Sequence, residues 1–276
     1  MKFHSLLTSP GLKQTIAGLA FGAVCATASA LPVFTLDPAG AGLAGGPVTA
    51  DNIIISDFST VRFTGPGTFS DSGYLAVQTF QLGGTTVPAP GLNTTYGLYF
   101  DFAGTGTVAG GNPATTPTSG EFTSLTYSLY GYNGPPATFG FDAGDNPTVS
   151  GIVGPTVLLA TGALLPGPNQ SSVGSSPQSP SFVSFAGANL SFVPEPGTDL
   201  FFVSPDPFYN VAVSSFINSP SQVSPVAGGF QNGFRISQGG GSVNFAAPIP
   251  EPETYALMLA GLAAVGFVGR RRKPAR

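Results

Sequence analysis

The feature that most limits what this chain can become is a two-residue alternation of apolar with small or polar side chains, repeated in short runs through its middle. Tyr96, Leu98, Phe100 and Phe102 alternate with Gly97, Tyr99, Asp101 and Ala103, and Leu125, Tyr127 and Leu129 alternate with Ser124, Thr126 and Ser128. A period of two with one apolar face marks half-buried antiparallel strands. Similar runs lie at 61–63, 75–82, 182–192, 200–203, 208–216, 234–236 and 243–245, while 157–165 suits either a strand or one short helix. Gly, Pro, Asn and Ser separate them, as turns require. No long amphipathic helical stretch occurs outside the two termini. The expected fold is all-β, a β-sandwich or jelly-roll-like domain. Residues 104–120 and 166–180 read as loops; the second also suits a linker between two smaller sandwiches, although a single domain is the preferred reading.

Composition supports an ordered domain. The 39 Gly and 27 Pro approach the low-complexity range, but 23 Phe and 8 Tyr supply apolar surface that disordered chains lack. Only 8% of residues are charged, where an ordinary soluble domain has about 25%. Their distribution divides the chain into three parts: 1–30, 31–249 and 250–276.

Residues 1–30 read as an export signal with a helical apolar stretch. Lys2 and Lys13 precede or border the apolar residues 15–26, and Ala28-Ser29-Ala30 forms a small-x-small cleavage pattern. Cys25 follows Val24 rather than the Gly or Ala of a lipoprotein signal, and the better site lies beyond it. His4 and Cys25 both fall in this segment, so a protein starting at Leu31 has no His, Cys or Trp. That composition excludes a Ser-His-Asp triad, His-ligated zinc, a Cys nucleophile and a disulfide framework. No cofactor is expected.

Residues 31–249 carry nine Asp and two Glu against only Arg62 and Arg235, a net charge of −9. Such a balance is unfavourable for nucleic acid, because neutralising phosphates needs clustered Lys and Arg, and no nucleic-acid partner is expected. Divalent cations or neutral polymers are easier partners. Asp142 and Asp145, around Gly144 and Asn146, are weak candidates for a calcium loop; the segment lacks the length and later Glu of an EF-hand, and an ordinary Asx-type turn explains it. Arg62 and Arg235, each between apolar residues, are expected to point away from the core. Scattered carboxylates permit glycoside hydrolysis in principle, but nothing in the sequence marks a pair.

The C-terminus is more specific. Pro250-Glu251-Pro252 precedes a weakly apolar run, 255–269, and then Arg270-Arg271-Arg272-Lys273. Fifteen helical residues rise about 22 Å, short of the roughly 30 Å hydrocarbon core, so the segment reads as a short or temporary membrane helix with its basic end cytoplasmic. Read alone it also suits a plain C-terminal anchor. The order of Pro-Glu-Pro, short hydrophobic helix and basic cluster resembles the PEP-CTERM sorting tail of Gram-negative bacteria. This resemblance implies processing by an exosortase near Pro-Glu-Pro, with Pro250, Glu251, Pro252, Arg270, Arg271, Arg272 and Lys273 as sorting residues, in hosts that make exopolysaccharide. The internal Pro194-Glu195-Pro196 leads instead into Gly197, Thr198 and Asp199 and has no basic cluster.

Phrases along the exported part, including Leu31-Pro32-Val33-Phe34, Thr95-Tyr96-Gly97-Leu98-Tyr99-Phe100, Phe122-Thr123-Ser124-Leu125-Thr126-Tyr127 and Asp206-Pro207-Phe208-Tyr209, resemble the flocculation-associated PEP-CTERM proteins. What that resemblance implies is a non-enzymatic surface or matrix protein that meets extracellular polysaccharide and promotes floc or biofilm formation. The alternative is a calcium- or carbohydrate-binding secreted module, and, further off, a carboxylate-dependent glycoside hydrolase.

Overall fold

A computed structural model describes residues 31–110, 115–178 and 181–246. The signal segment with Ala28 and Ala30, and the sorting tail, lie outside the described residues. Eight strands make the body of the domain: β1 (Asn52–Gly65), β2 (Thr68–Leu82), β3 (Tyr96–Ala109), β4 (Thr118–Asn133), β5 (Ser171–Gln178), β6 (Ser181–Ser191), β7 (Val211–Asn218) and β8 (Gly233–Phe245). Each pairs antiparallel with the strand before and after it in this order. The last returns to the first, from Gly233↔Arg62 to Val243↔Ile53. The expected facing layers thus take the form of one sheet that closes on its own first strand, an eight-stranded up-and-down barrel.

The alternation read from sequence sets which side chains face in. Ile53, Ile55 and Val61 of β1, Phe69 and Leu75 of β2, Phe100 of β3, and Phe122, Leu125, Tyr127 and Leu129 of β4 are all buried. Opposite them β6 and β7 present small residues, Ala188, Ala212 and Ser214, so rings from one half fill the space left by the other. An eight-stranded barrel is just wide enough to be filled this way. Outward positions on β3 and β4 carry hydroxyls, among them Thr105, Thr107, Thr123, Ser124 and Thr126. Apolar inside and polar outside is the reverse of a lipid-facing barrel.

One end is plugged by aromatic side chains. Phe34, Phe192, Phe202, Phe208 and Tyr209 gather around Phe245, with ring centroids about 5 to 6 Å apart in mostly edge-to-face or tilted pairs. A small sheet of Phe34–Leu36, Val48–Ala50 and Phe202–Ser204 brings several of these rings together. At the other end the β1–β2 turn places Gly67 at φ 71°, where a Cβ would stand 2.9 Å from the Val108 carbonyl oxygen. A glycine is required there on both counts.

The seam between β4 and β5 has two parts. Thr118–Gly120 pairs with β5, whereas residues 126–132 of the same strand pair with the strand Thr156–Ala163, which peels away before β5 begins. The segment expected as strand or short helix at 157–165 is therefore strand as far as Ala163. Two loop readings are corrected. Of the loop expected at 104–120, residues 104–109 and 118–120 are strand, because β3 continues through Thr105 and Thr107 to Ala109 and β4 starts at Thr118. The segment expected as a loop or linker at 166–180 contains β5, the closing strand. Its Ser-rich sequence offers only Val173 as an inward apolar residue, so no apolar period showed; the backbone ladder and a buried hydroxyl pair hold it instead.

That pair is Thr118 Oγ1 and Ser175 Oγ, 2.6 Å apart. Thr118→Val alone strands the Ser175 hydroxyl and is expected to cost about 1–3 kcal/mol, whereas Thr118→Val with Ser175→Ala removes both partners and recovers most of it. Urea denaturation of the three proteins checks this; equal loss in single and double variants contradicts a shared buried bond at the seam.

Candidate functional site

The segment 141–146 connects two short strands, Thr138–Phe141 and Pro147–Ser150, lying on the outer face of β1 and β2. Asp142 Oδ1 accepts hydrogen bonds from the Gly144 and Asn146 amides, and Oδ2 from Asn146 Nδ2. These bonds hold its carboxyl below the ordinary value, the Asn146 side chain being the first cause and the Arg62 charge a smaller one. Asp145, at φ 60°, binds Arg235 Nη1 through Oδ1 at 2.9 Å and the Ala227 amide through Oδ2 at 2.9 Å. Arg62 Nη2 donates to the Gly144 carbonyl, and Thr60 Oγ1 to the Asp145 carbonyl. Both arginines face outward as expected. The carboxylate oxygens of Asp142 and Asp145 are committed to fastening this loop, which is the ordinary Asx turn of the two readings.

Beside that hairpin the outer sheet face carries an aromatic platform. Tyr74 of β2, Tyr99 of β3 and Tyr130 of β4 lie on adjacent strands, with Tyr99 and Tyr130 stacked at 5.4 Å and Tyr74 edge-on to Tyr99 at 6.0 Å. Phe139 of the hairpin and Phe58 of β1 extend it. Tyr74 and Tyr130 remain half-exposed, and the exposed Asp101 is directly across from Tyr74 in the β2–β3 register. Burial, then the charges of Tyr130 and Asp101, push the Tyr99 hydroxyl up to about 12. The sequence showed these tyrosines only as outward members of alternating runs; their convergence comes from strand register.

Inside the barrel lies a second cluster that the sequence reading missed. Asp57 of β1 and Asp71 of β2 both point inward and are buried. They occur in the same phase as Ile53, Ile55 and Val61, and as Phe69 and Leu75, so two acids occupying core positions was the signal available. With Asn218 of β7 they border a cavity of about 100 Å³ walled by Phe69, Phe100, Phe122 and Tyr127. Asn218 reaches across Gly239, which sits opposite Asp57; a Cβ at Gly239 would be 2.1 Å from Asn218 Oδ1. Its Nδ2 donates to Ser184 Oγ at 3.1 Å, leaving Oδ1 unpartnered. Asp57 Oδ1, Asp71 Oδ1 and Ser59 Oγ are likewise buried without a hydrogen-bond partner.

Burial raises both carboxyls. Asp71 is pushed up to about 7, with the Ser72 amide offsetting part of the effect. Asp57 is also raised well above the usual carboxylate range, first by burial and then by the charge of Asp71; the nearby Ser59 hydroxyl offsets little, since it stands outside hydrogen-bonding geometry. Each acid thus holds its proton more tightly when folded than when unfolded, and the stability this lends is present below about pH 4 and lost as pH rises through about 7.

Fold and sites together define a class: a small closed β-barrel with a polar exterior, an outer tyrosine platform and a pair of acids in its core. The PEP-CTERM protein-sorting motif matches residues 248–273, which include Pro250, Glu251, Pro252, Arg270, Arg271, Arg272 and Lys273. The chain therefore carries an exosortase sorting signal, the mark of an exported protein of the cell envelope. No curated protein and no solved structure matches the chain significantly.

The acid pair predicts an unusual pH response. From pH 5 to pH 8 the protein is expected to lose about 3 kcal/mol of stability, and Asp71→Asn to flatten much of that slope while raising stability at pH 8. Urea midpoints measured at several pH values check it; stability that rises with pH in this window contradicts the assignment.

Proposed function

We propose that this chain is a non-enzymatic protein of the outer surface or extracellular matrix of a Gram-negative bacterium, associated with exopolysaccharide and promoting floc or biofilm formation. The membrane is met only transiently, through residues 255–269, before exosortase processing. The observation that carries the reading is the half-exposed platform of Tyr74 and Tyr130 beside Asp101. A tyrosine ring offers an apolar face to the C–H surface of a sugar and a hydroxyl at its tip, and an exposed carboxylate accepts from sugar hydroxyls. A neutral polymer meets no repulsion from a domain of net charge −9.

The non-enzymatic reading is supported by the placement of the two core acids, Asp57 and Asp71. Its cavity of about 100 Å³ is smaller than the roughly 150 Å³ that accommodates benzene, too little for a sugar ring. A calcium-dependent module is less favoured, since Asp142 and Asp145 spend their oxygens on the loop itself.

Deleting the gene is expected to reduce floc formation while polysaccharide output stays normal; unchanged flocs contradict the proposal. Tyr74→Ala with Tyr130→Ala is expected to weaken retention by host polysaccharide in affinity electrophoresis by on the order of tenfold, as losing aromatic anchors does. Unchanged retention removes the platform from the reading. Protein recovered from the cell surface should begin near Leu31 and lack residues 270–276, by intact mass; a surface protein that keeps the tail favours a plain anchor.

A further inference from the structure

The polysaccharide reading leaves the core acids unused. On the wall of their cavity three acceptors, Asp57 Oδ1, Asp71 Oδ1 and Asn218 Oδ1, stand buried and unpartnered, and Asn218 Oδ1 lies beside Asp57 over Gly239. Buried acceptors without donors are costly, and a buried carboxylate without a counter-charge more so. The domain has no internal cation to offer. Its two positive side chains, Arg62 and Arg235, are both tied to the outer loop at 142–146. The rest of the wall is aromatic, and ring faces attract cations. What is missing is therefore positive, rich in N–H donors, partly apolar and small.

We infer that the barrel interior is a binding site for a small alkylammonium ion, its N–H groups bonding Asp57 and Asn218 and its alkyl end lying toward Leu75 and Phe100, the residues in register with Asp57 on β2 and β3. The cavity of about 100 Å³ limits the guest to about four or five heavy atoms. Binding is coupled to proton release, because the cation favours the ionised acids. Tyr127 is the other titratable group on the wall; burial raises its pKa and its hydroxyl donates to the Ser191 carbonyl at 2.9 Å, so it stays protonated.

Calorimetry of the exported protein with propylammonium chloride, beside 1-propanol of nearly the same shape, tests this. The expected result is saturable binding of propylammonium and none of propanol, tighter at pH 8 than at pH 6, with about one proton released at pH 7 when buffers of different ionisation enthalpy are compared. Asp57→Asn is expected to weaken binding at least about tenfold, and Glu121→Gln on the exposed outer face of β4 to leave it unchanged. No binding heat, equal binding of propanol, or full binding by Asp57→Asn overturns the inference. Should Asp57→Asn fail to fold, the comparison of propylammonium with propanol and the proton count still decide.

Discussion

The ladder between β8 and β1 is the constraint on which the other features depend. By joining the last strand to the first it removes the sheet edges, fixes an inside and an outside, and so gives each residue parity a meaning. Slipping that register by one residue turns Ile53, Ile55 and Val61 to solvent and Arg62 into the core. The glycines in β8 make the pairing possible at close quarters: Gly239 gives room to Asn218, and Gly241 to the Phe216 ring.

How much of this the sequence displayed depends on how each strand is stabilised. β3 and β4 bury a ring or an aliphatic side chain at nearly every second position, and their alternation alone announced an all-β domain. β5 buries chiefly Val173 and Ser175 and relies on backbone pairing and one hydroxyl contact, which leave no hydrophobic period to read. The loop at 141–146 was legible as an Asx turn because its chemistry is local. The tyrosine platform and the core acids were not, since Tyr74 meets Tyr99 only through register, and Asp57 and Asp71 face one interior only because the sheet closes. The sorting tail, by contrast, is a linear signal and was fully visible.

Charge is sorted with the same economy. Eleven acids share two arginines in residues 31–249, and both arginines serve one external loop, with Arg235 also lying 5.6 Å from the Phe141 ring. The core acids are thereby kept apart from the only permanent positive charges of the domain. Their neutralisation falls to protons or to something that enters.

The junction between barrel and tail has a mechanical consequence. Ala246 still donates its amide to the Val211 carbonyl at 3.0 Å, and Pro250 follows after only three intervening residues. Those three residues reach at most about 11 Å even when extended. An enzyme that cuts near Pro-Glu-Pro therefore works almost against the aromatic-plugged end of a folded barrel. A cut there leaves at most a few residues between the Ala246 amide and the new C-terminus, so any attachment made through that terminus would fall at the plugged end and leave the opposite rim facing away.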